Sequence, residues 1–221
     1  TTNLPSLSGR QVILLDAGAN VDCEPEQLLQ FAMMGQCYSR TVIGTKAPTV
    51  GLLSNGEEES KGNEFTRETH QLLKRHVTDF TGNVEGRQVF EGAVDVVVCD
   101  GFDGNILLKT AEGVAEMVMG LLRAELTKHK WMQLCLLPLR NGMRRTRDKI
   151  DYREFGGAPL LGINGVCIIG HGRSDARAIV NAIRVAEKSV TTNLLSEIES
   201  EVKKISRRAE IQSAEGTIEA K

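Results

Sequence analysis

The feature that most constrains this chain is a recurring local order: a short apolar run, a glycine-bearing polar loop, then a segment with apolar residues at helical spacing. Gln11–Leu15 (QVILL) leads into Asp16-Ala17-Gly18-Ala19-Asn20 and a helical pattern from Glu24 to Ser39. Thr49–Ser54 leads into the polar stretch Asn55–Gly62 and a helix from Asn63 to His76, with Phe65, Leu72 and Leu73 as its apolar positions. Val94–Cys99 leads into Asp100-Gly101-Phe102-Asp103-Gly104, read as a loop, and a helix beginning near Asn105. A fourth unit joins Val166–Ile169 through Gly170-His171-Gly172 to a helix that Ser174 or Asp175 can cap. Strands alternating with helices predict an α/β fold built on a parallel, helix-covered sheet. At 221 residues the chain fits one large domain or two small ones, and 41% apolar residues are enough for a buried core.

Parallel sheets place ligands at the carboxyl ends of their strands, where loops and helix amino termini converge. Every glycine-bearing loop above occupies that position. Each one alone can be a tight turn and nothing more; together they predict a site, and their composition suits an oxyanion, because glycine lets backbone amides approach and helix amino termini attract phosphate. Neither Gly-x-Gly-x-x-Gly nor Gly-x-x-x-x-Gly-Lys-Ser/Thr occurs, so no dinucleotide or nucleoside triphosphate site is signalled and no cofactor is expected.

Gly113–Arg153 departs from this order. Val114, Val118, Leu121, Leu122 and Leu126 line one face of a long helix, and a second helix is expected over about Arg140–Tyr152, giving a projecting hairpin. From Arg123 to Lys149 there are eight basic residues and two acidic ones, although Lys plus Arg (27) and Asp plus Glu (29) nearly balance over the whole chain. Without a global basic excess, nucleic acid is not expected as a partner. At the bend lie Trp131, Met132, Leu134, Cys135, Leu136, Leu137 and Leu139, a mixture that suits either a membrane interface or a dimer contact between paired hairpins. No apolar stretch reaches the roughly 20 residues of a membrane span. Five scattered cysteines without Cys-x-x-Cys spacing, and no export signal, point to reduced thiols in the cytoplasm. After Ile198 the sequence turns charged, and 199–221 is expected to be a solvated helix end and tail.

Among individual residues, Glu57, Glu58 and Glu59 read as a charge run, since consecutive loop residues do not converge on one ion. Lys61, beside a helix amino terminus, can hold phosphate as a point charge, or can simply be solvated. Asn83, Glu85 and Arg87 supply an amide, a carboxylate and a guanidinium within one turn, or a turn whose charges pair elsewhere. His171 can donate a proton to a leaving group or make a local hydrogen bond. His70 and His76 are six apart on a helix and do not share a face, so no metal site is expected. No Gly-x-Ser-x-Gly elbow or Cys and His pairing in sequence signals covalent catalysis, which favours a reaction that positions phosphate against an electrophile.

The loops resemble those of the PlsX family of phosphate acyltransferases. The matching stretches are LLDAGANVDCEPEQLLQFAMMG (Leu14–Gly35), VGLLSNGEEESKGNE (Val50–Glu64), GNVEGRQVFEGAVDVVVCDGFDGNILLKTAEG (Gly82–Gly113) and GGAPLLGINGVCIIGHGRSDARAIVNAIRVA (Gly156–Ala186). The resemblance implies a fold like the isocitrate and isopropylmalate dehydrogenases and the phosphotransacetylases, with the active site between two domains. It implies transfer of an acyl group from acyl carrier protein to inorganic phosphate, in phospholipid biosynthesis. It makes Lys61, in Lys-Gly-Asn-Glu, and Asn105, in Gly-Asn-x-x-Leu-Lys, the catalytic candidates, with Lys61 on phosphate and Asn105 on the thioester oxyanion. Asn83, Glu85, Asp100, Gly101, Gly104 and His171 are the candidate substrate-binding residues, amides near Gly101 and Gly104 orienting the phosphate.

The family's Asp-Ala-Met-Gly-Gly-Asp and Ser-Ala-Gly-Asn-Thr-Gly segments are not in this sequence, and Asp103, Gly170 and Arg173 differ from its usual residues. Residues 1–198 are therefore expected to form the carboxyl-terminal part of such an enzyme, a homodimer through its projecting helices. A phosphotransacetylase acting on coenzyme A thioesters and an inactive fragment that binds membrane or a partner are the rival readings.

Overall fold

A computed structural model of the protein describes residues 1–128, 142, 157–172 and 174–204. Its centre is a five-stranded sheet formed by β1 (Thr2–Pro5), β2 (Gln11–Leu15), β3 (Val50–Leu53), β4 (Phe80–Val84) and β5 (Val96–Val98), in the order β1-β2-β5-β3-β4. The last four are mutually parallel, and β1 closes one edge antiparallel to β2, with Thr2 opposite Leu14. Three of the expected strands are β2, β3 and β5. The fourth parallel strand is β4, which the sequence hides because Gly82 and Asn83, both poor strand formers, interrupt its apolar run.

The inner strands are apolar at nearly every position because both faces of a parallel sheet are covered. Ile13, Leu15, Val50, Leu52, Val96 and Val98 face α1 (Pro25–Tyr38) and α2 (Glu64–His76), which supply Leu28, Leu29, Ala32, Tyr38 and Leu73 to the larger core. Phe65 and Leu72 pack at its margin. Val12, Leu14 and Val97 face the other way, onto Val89 of α3 (Gly86–Glu91) and Leu107 and Leu108 of α4 (Gly101–Thr127). Fully burying one such Leu or Val contributes about 1.5–3 kcal/mol.

Two expectations are corrected here. Asp100-Gly101-Phe102-Asp103-Gly104 is the capped first turn of α4 and not a loop: the Asp100 carboxylate accepts from the Asp103 amide at 2.8 Å, so the helix starts four residues before Asn105. The fourth unit does not join the parallel sheet. Its strand, β7 (Cys167–Ile169), pairs antiparallel with β6 (Ala158–Leu160) in a separate ribbon, and leads to α5 (Ala176–Thr191) with Asp175 as the cap. Strand, loop and helix recur locally, but sheet membership is decided by pairing partners distant in sequence.

α4 is the first leg expected of the hairpin, and Val114, Val118, Leu121 and Leu122 lie exposed along it. The second leg, and Trp131, Leu134, Leu136 and Leu137 at the bend, lie outside the described residues. Residues 194–204 are helical, with Leu194 and Ile198 in the larger core and Val202 beside it. No described helix is long and apolar enough to cross a membrane.

Candidate active site

Adjacent strands β3 and β5 run parallel, yet α2 leaves β3 towards one face of the sheet and α4 leaves β5 towards the other. A crevice opens at the carboxyl ends of such a pair, and this is where open α/β sheets take ligands. Lys61 lies on the loop after β3 and Asn105 in the second turn of α4, so the two proposed catalytic residues come from opposite banks of that switch point. Asn83 and Glu85 follow on the carboxyl end of β4, next to β3.

The bank formed by β2 and β5 is built by close approach. The Asp16 carboxylate, 5% exposed, accepts from the amides of Gly18 (3.0 Å), Ala19 (3.1 Å) and Asn20 (2.7 Å) and from Asn20 Nδ2 (3.0 Å). Burial pushes this carboxyl up, but the four hydrogen bonds outweigh it and hold it below the ordinary carboxylate range. The loop so wound presents the Asn20 carbonyl to the Gly101 amide at 2.7 Å. A side chain at Gly101 would strike that carbonyl at 2.6 Å, and one at Gly104 would overlap the Asp16 carbonyl oxygen. Glycine at both positions therefore lets the first turn of α4 lie directly on the Asp16 loop. The Asn105 side chain rests over Gly18, about one van der Waals contact (3.5 Å) from where a β-carbon there would sit.

The electrostatics of this bank are acidic. Asp100 and Asp103 favour the helix amino terminus, and burial, then the Asp100 charge, raise the Asp103 carboxyl above its usual range. The amides of Gly101 and Gly104 are both engaged within the protein, with Asn20 and Asp100 carbonyls respectively. Cys23 donates its thiol to the Asn20 carbonyl at 3.3 Å, and burial, followed by the nearby Asp100 charge, keeps that thiol protonated.

The opposite bank is held by hydrogen bonds instead. Asn55 Oδ1 accepts from the Gly62 amide at 2.9 Å, Arg67 donates to the Gly62 carbonyl at 2.7 Å, and Asn63 caps α2 through the Thr66 amide and hydroxyl. Gly62 has φ of +90°, a left-handed turn that glycine alone adopts freely, and it reverses the chain into the helix. The three acids of this loop differ in their surroundings: Glu59 pairs with Lys74, which lowers its carboxyl below the ordinary range, Glu57 lies 3.9 Å from Arg87, and Glu58 folds its carboxylate over Gly56. Lys61 lays its stem over Gly56, and among the described residues its ammonium has no hydrogen bond or ion pair. It is an exposed cation on the loop that follows the carboxyl end of β3.

The remaining candidates divide. The Asn83 side chain, 6% exposed, is held by His70 and the Glu58 carbonyl. Glu85 precedes α3, its amide donating to Gln88 Oε1 at 2.8 Å, and its carboxylate is 3.9 Å from Arg87. His171 sits after β7 on the separate ribbon, its carbonyl accepting from the Ser174 amide at 2.9 Å. Two residues central to the site were not singled out from the sequence for these roles: Asp16, whose signal is an Asp at a strand end followed by Gly and Asn, and His70, which carries no local signal. Among the described residues no cluster of His, Cys, Asp and Glu could hold a metal ion.

The chain is similar to known proteins over most of its length. A family described as fatty acid synthesis protein matches residues 1–197. The phosphate acyltransferase of Geobacter sulfurreducens is 51% identical over 201 residues, 89% of this chain and 58% of that protein. That of Desulforudis audaxviator is 52% identical over 195 residues (88% and 58%), and that of Pelotomaculum thermopropionicum 47% over 215 (97% and 61%). The chain thus spans about three-fifths of the length of these relatives. On the family match over nearly its whole described length, the chain belongs to the fatty acid synthesis protein family, the PlsX family that its loops resemble.

Proposed function

We propose that this chain carries the phosphate acyltransferase chemistry for which its relatives are named, moving an acyl group from a thioester on acyl carrier protein to inorganic phosphate for phospholipid synthesis. The observation that carries this reading is the exposed Lys61 on the loop after β3, the strand that pairs with β5, which leads into the helix bearing Asn105. Asp100 and Asp103 repel phosphate, as do Glu57 and Glu58 beside Lys61, so the anion is assigned to the Lys61 ammonium itself and not to either bank as a whole. The Gly101 and Gly104 amides are already engaged, which favours the Lys61 ammonium over them as the phosphate contact.

In the reaction a phosphate oxygen attacks the thioester carbonyl carbon, forming a C–O bond. The carbonyl oxygen gathers negative charge, which the Asn105 amide N–H stabilises from above Gly18. Collapse breaks the C–S bond, and the carrier's phosphopantetheine thiolate leaves and takes a proton. A thiolate leaves readily, so His171 is a proton donor of convenience, not of need. Asn83 and Glu85 complete the substrate-binding set in this reading, and the fold extends to the two-domain cleft of the isocitrate and isopropylmalate dehydrogenases.

Offering acyl-[acyl carrier protein] and acyl-coenzyme A in parallel, with phosphate, tests the donor. Acyl phosphate should form from the carrier-bound donor; a preference for coenzyme A would overturn this part of the reading in favour of a phosphotransacetylase.

The exposed apolar face of α4 and the basic stretch after it suit a homodimer and a peripheral membrane contact through Trp131, Leu134, Leu136 and Leu137 in the cytoplasm. Leu136→Glu combined with Leu137→Glu should release the protein from vesicles of anionic lipid, and undiminished binding refutes the contact.

A further inference from the structure

His70 lies on the inward side of α2, 2% exposed, and nothing in the reaction above uses it. Its ring is fixed on every side. Phe80 meets it edge to face at 5.2 Å, and the backbone of Gly82 passes close enough that a β-carbon there would sit 3.8 Å from Cε1. Nδ1 is 2.8 Å from Asn83 Oδ1. The Asn83 amide is oriented by its other bond, since Nδ2 donates to the Glu58 carbonyl at 2.9 Å and so turns Oδ1 towards the ring. The proton of this pair must therefore sit on His70 Nδ1. Nε2, at the far side of the ring, is 3.8 Å from Glu59 Oε1, the oxygen that also takes Lys74.

The imidazole thus touches the Lys61 loop at two neighbouring residues, through Asn83 to the Glu58 carbonyl and directly towards the Glu59 carboxylate. The Glu58 carbonyl accepts a second bond, from the Lys61 amide at 2.9 Å, which places the Asn83 anchor one hydrogen bond away from Lys61 itself. We propose that His70 is a positioning residue for Lys61: its Nδ1–H orients Asn83, and Asn83 fixes the turn Glu58–Lys61 from which the ammonium reaches the crevice. The inference rests on Lys61 binding phosphate in the reading above, but the mechanical part of it concerns the loop alone. The pair is buried and each member is held by a second contact, Asn83 Nδ2 on the Glu58 carbonyl and His70 Nε2 towards Glu59, so the position of the ring is passed to the loop. It also gives β4 a reason to carry Asn83, a poor strand former, at its carboxyl end: an amide accepts from the ring and donates to a carbonyl at once.

Three variants of the full chain test it, with two readouts each: hydrogen exchange of the amides over residues 56–62, and KM for phosphate against kcat. His70→Phe keeps a buried ring and removes the donor. Exchange of the loop should rise by about tenfold, the consequence of one lost buried hydrogen bond, and KM for phosphate should rise with a smaller change in kcat. His70→Asn places an amide nitrogen where Nδ1 was, and should return both readouts most of the way; a role confined to core packing would make the smaller Asn worse than Phe. Asn83→Asp keeps the acceptor for His70, removes the donor to Glu58, and should loosen the loop as His70→Phe does, which covers the case in which His70→Phe does not fold. Unchanged loop exchange in His70→Phe and Asn83→Asp overturns the proposal. A loosened loop with unchanged KM for phosphate leaves the mechanical coupling standing and refutes instead the assignment of phosphate to Lys61.

Discussion

The two sides of the switch point are held by opposite means. On the β5 side, the first turn of α4 lies on the Asp16 loop with no space between them, and glycine at 101 and 104 is a steric requirement. On the β3 side, the Lys61 loop is largely exposed and is held by single hydrogen bonds, the Gly62 amide donating to Asn55 and Arg67 and Asn83 donating to loop carbonyls. Close packing has no small adjustment available to it, whereas a hydrogen-bonded loop can shift by fractions of an ångström at modest cost. The division suits the chemistry proposed here. The oxyanion donor has to stay fixed while charge develops, and the cation has to admit and release a mobile anion.

Substitutions separate the two banks, and the largest effect on stability is expected at Gly104. Gly104→Ala drives a methyl group into the Asp16 carbonyl and towards Cys99 Sγ, so α4 must lift off the loop. A loss of about 3 kcal/mol in urea unfolding is expected, and a variant as stable as the parent would show that the bank is not close-packed. Asp16→Asn comes next. It leaves the shape of the side chain but removes the charge that accepts three amides, and should lower stability at neutral pH. Because the folded carboxyl titrates below its unfolded range, its contribution is complete above that range and fades as pH falls through the folded value. The stabilities of parent and variant should therefore converge as the solution is acidified below about pH 4, and a gap constant down to pH 2 would rule out the carboxylate as the organiser of the loop. The smallest effect on stability belongs to the other bank: Lys61→Ala, at an exposed residue without a bonded partner among those described, should stay within about 0.5 kcal/mol of the parent.

The same contrast marks what the sequence could reveal. Helices α1, α2 and α5 follow from periodicity and caps, since both signals lie within a few residues of each other. Lys61 and Asn105 were legible as a catalytic pair only through the resemblance of their motifs to a known family, and they follow β3 and β5, which the sheet makes neighbours. The first turn of α4 was hidden because glycines that permit helix-to-loop contact read locally as a turn. β4 was hidden because Gly82 and Asn83 interrupt its apolar run, although Asn83 pairs with Leu52 of β3. The ribbon of β6 and β7 could not be told from a fourth parallel unit, since its pairing depends on residues far apart. The coupling of His70 to Glu58 crosses three elements, and no spacing encodes it.

The central claim is that the cation on the adjustable bank binds the phosphate. It is tested most directly by measuring acyl phosphate formed from acyl-[acyl carrier protein] and phosphate by the Lys61→Ala variant, alongside its thermal unfolding. Turnover is expected to fall at least about a hundredfold with an unchanged melting temperature. Turnover equal to that of the parent in a folded Lys61→Ala protein would contradict it.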